Sequence, residues 1–172
     1  MKRFIFMVAA IIVCFLLQCT VFEALQIGFI SPNLLIILTA SIGFMRGKKE
    51  GLLLGFFSGL LLDIMAGEFL GVYAMIYMMI GYCNGFFQNY YFPENVRLPV
   101  FAISVSDLIS SMAIYLGMFF LRGRFHFAFY LWHTILPELI YTMVIALLLY
   151  PVLYFINSRL EEEEKRSKAK FV

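Results

Sequence analysis

The stretch Gly51-Leu52-Leu53-Leu54-Gly55-Phe56-Phe57-Ser58-Gly59-Leu60-Leu61-Leu62-Asp63 sets a glycine at every fourth residue of an apolar run and closes the series with an acid. At 3.6 residues per turn, positions 51, 55, 59 and 63 share one slowly drifting helix face. Leucine and phenylalanine fill nearly all of the rest, so the helix has no side suited to water. Lipid suits its bulky faces, and the glycine face lets a second backbone come close. Gly81 and Gly85 repeat the spacing further along the chain. The pattern predicts tight packing of the two helices that carry these glycines. A face for a partner's helix is the alternative it leaves open.

The whole chain reads in the same sense. Of its 172 residues, 63% are apolar and 14% charged, against about 45–50% and about 25% in a soluble domain. The polar residues are too few to clothe a water-soluble surface, and so apolar a chain does not stay disordered. An all-α, polytopic integral membrane protein fits. Each spanning helix takes about 20 apolar residues, so six occupy most of the chain and leave no room for a separate soluble domain. A net charge of +2 without a Lys/Arg-rich solvated face excludes nucleic acid as a partner. Cys14, Cys19 and Cys83 lie in apolar runs, in no CxxC pair and at no metal-ligand spacing, and read as small packing residues. Lys2-Arg3 before an apolar run resembles a signal peptide. Gln18 stands where a cleavage box ending at Cys19 wants a small residue, which favours an uncleaved first helix.

Charges divide the chain into one membrane domain over 1–172, with helices expected at 4–22, 27–45, 51–66, 69–87, 98–121 and 132–156 and a charged tail at 157–172. Pro32 suits the first turn of the second helix. With the N-terminus in the cytoplasm, Lys2, Arg3, Arg46, Lys48, Lys49, Arg97, Arg159, Lys165, Arg166, Lys168 and Lys170 face inward, and only Arg122 and Arg124 face outward. Short loops rich in Lys and Arg stay in the cytoplasm, so both termini are expected there. Glu161, Glu162 and Glu164 each precede Lys165, Arg166 or Lys168 by four residues, a spacing that extends the last helix beyond the membrane.

Acids inside apolar runs are candidates for function because they are costly there. Asp107 lies near the middle of the fifth span with Ser104, Ser110 and Ser111 on its face, while Asp63 and Glu138 fall toward the outer surface with Glu23, Glu68, Arg122 and Arg124. A proton or ion relay, a substrate site, a partner contact and hydrogen-bonded packing are all compatible with this pattern. His126 and His133 have no third ligand at metal-binding spacing. Phe127, Phe129, Tyr130 and Trp132 make an aromatic stretch suited to a membrane interface or to the core of a protein contact. No phosphate-binding loop, nucleophile elbow or dinucleotide fingerprint is present, so no catalytic residue, metal or cofactor is assigned.

Several short stretches, taken in order, resemble the rod shape-determining protein MreD family in the version found in Gram-positive bacteria. They are Ser31-Pro32-Asn33-Leu34-Leu35, Gly43 through Gly51, Gly55 through Ile64, Gly81-Tyr82-Cys83-Asn84-Gly85, Ser106-Asp107-Leu108 and Leu136-Pro137-Glu138-Leu139-Ile140-Tyr141. Thr142 stands where many relatives carry asparagine. The resemblance implies a six-helix, non-enzymatic membrane protein of the cell-elongation machinery. It would associate with MreC, the actin-like MreB, the glycosyltransferase RodA and a class B penicillin-binding protein. It also implies a helical arrangement similar to the substrate-binding subunits of energy-coupling-factor vitamin transporters. The alternative function is therefore a small-molecule binding subunit, with a pocket among the outer polar residues.

The charge distribution predicts that single cysteines at positions 48 and 168, in a cysteine-free background, stay unlabelled by an impermeant maleimide in whole cells and label after lysis. Labelling of either in intact cells contradicts the orientation.

Overall fold

The computed structural model describes residues 2–25, 30–66, 71–90, 97–122 and 131–169. These form six α-helices: α1 (Lys2–Ala24), α2 (Leu34–Arg46), α3 (Lys48–Ala66), α4 (Val72–Asn84), α5 (Arg97–Arg122) and α6 (Leu136–Ala169). A 3-10 turn, Gly85–Tyr90, follows α4, and a π turn, Leu131–Ile135, precedes α6.

Local chemistry places the ends. The sequence predicts the second helix over 27–45, but α2 begins at Leu34 because the Asn33 side chain accepts the Ile36 N–H at 3.4 Å and caps it. Pro32 thus precedes the cap instead of occupying the first turn. The basic hairpin between α2 and α3 shrinks to Gly47, whose φ of +93° suits a residue without a Cβ, and Lys48 to Glu50 join α3. At the other extreme, α6 runs through the charged tail to Ala169.

The bundle is built around α2. Leu34 through Met45 are all buried, and α2 touches each of the other five helices. A helix that is apolar all round belongs in such a central place. Large apolar side chains cover the outside instead: Ile12, Leu53, Phe57, Met79, Phe101, Leu148 and Phe155 are all exposed. Soluble monomers rarely show apolar patches larger than a few hundred Å². Three helices hold windows long and apolar enough to cross a bilayer, at Ile5–Phe22, Arg97–Gly117 and Trp132–Glu162. The chain is an all-α membrane protein.

The glycine face of α3 lies against α4 backbone. A Cβ added at Gly55 would come within 3.0 Å of the Tyr77 carbonyl, and one at Gly59 equally near the backbone of Tyr73 and Ala74. At Gly51 the obstacles are the Gly81 carbonyl and Gly43 of α2, at Gly81 the Gly51 carbonyl, and at Gly85 the Lys48 backbone. At the far end of this seam Asp63, 0% exposed, accepts the N–H groups of Tyr73 at 3.0 Å and Ala74 at 2.9 Å. A carboxylate from α3 thereby satisfies two of the four backbone donors that the first turn of α4 leaves unpaired.

Two consequences can be read by thermal unfolding in detergent. Gly55→Ala should destabilise the protein by about 1–3 kcal/mol through overpacking, and Gly55→Leu by more. Gly117→Ala should be neutral or stabilising, because the nearest atom to its Cβ would be 3.9 Å away. Asp63→Ala should cost about 2 kcal/mol, with Asp63→Asn intermediate, since an amide oxygen can still accept. A wild-type melting temperature for Gly55→Leu or Asp63→Ala would contradict this packing.

Candidate functional site

The helix α2 has 13 residues, about 20 Å, and α4, also of 13 residues, runs on into the 3-10 turn Gly85–Tyr90. Both begin at the same end of the bundle, beside Ala24, Asp63 and Glu138, and their N–H groups require partners there because lipid supplies none. Polar side chains provide them. Besides the Asn33 cap, Gln18 of α1 accepts the Leu35 N–H at 3.2 Å. The same Asn33 oxygen accepts the Tyr77 hydroxyl of α4 at 2.8 Å, and the Asn33 N–H donates to the Thr142 hydroxyl of α6 at 3.2 Å. Thr142 in turn hydrogen-bonds the Asp107 carboxyl of α5. Thr142 therefore has a polar role in the interior.

Two acids lie in this network. Asp107 is 1% exposed, and its Oδ1 has no hydrogen-bond partner among the described residues. Glu138 accepts the Ser111 hydroxyl at 3.4 Å and lies close enough to Asp107 for the two carboxyls to interact electrostatically. Every Lys or Arg with a described side chain (Arg46, Lys48, Lys49, Arg97, Arg159) sits at the opposite end of the bundle.

Above the network opens a recess of about 360 Å³. Gln18, Ser31 and Asn33 form one side of it, Tyr73 and Tyr77 another, and Ser111 and Glu138 a third, with Leu62, Met65 and Ile114 as its apolar wall. It can accept and donate hydrogen bonds from four helices and from the segment before α2, and it offers a carboxyl.

Of the candidates from the sequence, Asp107 and Glu138 converge here. Asp63 serves as the cap of α4, and the five glycines line the α3–α4 seam. Trp132 is 66% exposed on the π turn before α6. Phe127 and Phe129, like Arg124 and His126, lie outside the described residues. Sequence reading noted Gln18 only as a misfit in a cleavage box and Thr142 only as a departure from the family pattern, and it did not single out Tyr77. A tyrosine or threonine in an apolar run carries no signal by itself. Gln18 had one, as an amide near the end of a span, and Pro32-Asn33 had one, as a capping residue before an apolar run.

No curated protein and no solved structure gives a match. The sequence model described as rod shape-determining protein MreD matches residues 1–158 of the 172, nearly all of the chain and every residue that lines the recess, so this membrane protein belongs to the MreD family, whose role is rod shape determination.

Proposed function

We propose that the protein is a non-catalytic membrane scaffold of the bacterial cell-elongation complex. It supports cell-shape maintenance and lateral peptidoglycan synthesis through contacts with MreC above all, and with RodA, its class B penicillin-binding partner and MreB. In this reading it crosses the cell membrane six times with both termini in the cytoplasm. The supporting observation is the combination of near-complete family coverage with connections too short to carry a lid or a catalytic element. The chain turns from α2 to α3 through Gly47 alone. The outer aromatic stretch 125–132, next to Arg122 and Arg124, is the proposed contact for MreC, because aromatic residues and arginine are enriched at the cores of protein interfaces.

The recess favours a second reading, a binding subunit for a small vitamin-type molecule. Its volume of about 360 Å³ falls in the range of ligand pockets. Scaffold function ranks first because the family covers the chain and two of the recess polar groups, Gln18 and Asn33, already serve the start of α2.

Co-purification of the detergent-solubilised protein with MreC separates the two. The scaffold reading predicts that MreC is recovered with the wild type. Recovery should fall by at least about tenfold when Phe127, Phe129 and Trp132 are replaced together by alanine, the effect expected of interface hot spots. A bound vitamin-like molecule without MreC would favour the transporter reading.

A further inference from the structure

At the basic end of the bundle Arg46 closes α2 with a side chain only 3% exposed. Its Nε donates to Asn157 of α6 and its Nη1 to Glu50 at 3.3 Å, while Nη2 is buried with no partner among the described residues. A buried, charged donor left unmatched is costly. Arg46 lines a cavity of about 530 Å³ together with Lys48, Lys49, Gln88 and Asn89. That cavity also receives the N-terminus of α3, which starts at Lys48, so unpaired backbone N–H groups and the positive end of the helix dipole meet there. Three cations face one carboxylate, Glu50, which Arg46 already engages. Lys48 is held in place with its Nζ 3.5 Å over the Phe86 ring.

A second cavity, of about 540 Å³ and lined by apolar side chains such as Phe44, Phe87, Leu98, Phe101 and Val105, opens between α4 and α5. The consecutive residues Phe86 and Phe87 belong one to each cavity. A cationic hollow thus adjoins an apolar groove at one end of a membrane protein. We propose that this pair of cavities binds an anionic phospholipid, its phosphate on Arg46, Lys48, Lys49 and the α3 N-terminus and an acyl chain along the Phe87–Phe101 groove. Basic pockets between helices are suited to such headgroups.

Native mass spectrometry of the protein released from nanodiscs of equal phosphatidylglycerol and phosphatidylcholine tests this. Wild-type protein should retain phosphatidylglycerol in preference. Lys48→Gln/Lys49→Gln should reduce that preference by about tenfold or more, and both lysines are exposed, so the fold should survive. Arg97→Gln/Arg159→Gln removes equal charge from the same end outside the cavity and should leave the preference in place. Equal retention of the two lipids, equal loss in both double variants, or displacement of phosphatidylglycerol by inorganic phosphate would each overturn the proposal, the last by assigning the site to a free anion.

Discussion

The buried starts of two helices govern this molecule. A helix start leaves backbone N–H groups without intrahelical partners, and burying them unpaired is costly. Both α2 and α4 start at the same end, so that end must contain acceptors. Asn33, Gln18 and Asp63 are those acceptors, supplied by three different segments, and each ties a helix start to a neighbour.

The glycine seam works with this constraint. Because α3 and α4 approach backbone to backbone at Gly51, Gly55 and Gly59, the Asp63 carboxylate reaches the N–H groups of Tyr73 and Ala74 directly. A wider spacing would leave those donors bare. Close packing substitutes here for the hydrophobic drive that lipid cannot provide between helices. With the α3–α4 pair fixed, α2 is enclosed and Tyr77 can meet Asn33 in the interior.

Much of this was legible in the chain. The glycine spacing pointed to a close helix approach, the missing polar cover to a membrane, and the run of acidic and basic pairs to an extended last helix. Asp107 and Glu138 stood out because charge in an apolar run is conspicuous. What stayed hidden depends on partners distant in sequence. Nothing near Asp63 marks it as a cap, because the helix it caps begins after a turn. Thr142 and Tyr77 gain their roles only when α6 and α4 flank Asn33. The start of α2 was misplaced since the apolar run continues upstream of Asn33 and hides a cap that acts through one side-chain oxygen.

The polar residues of the recess fall into two groups. Gln18, Asn33 and Asp63 close helix ends and belong to the fold. Asp107, with a carboxyl oxygen left unmatched in the interior, and Glu138 close no helix, so their burial is a cost the fold does not require. We propose that these two acids are kept for shape determination. The most direct test places Asp107→Leu in cells lacking the wild-type protein and measures both melting temperature of the purified variant and cell length and width. The account predicts a melting temperature at or above that of the wild type together with cells that fail to regain rod shape. Full restoration of rods by Asp107→Leu would contradict it.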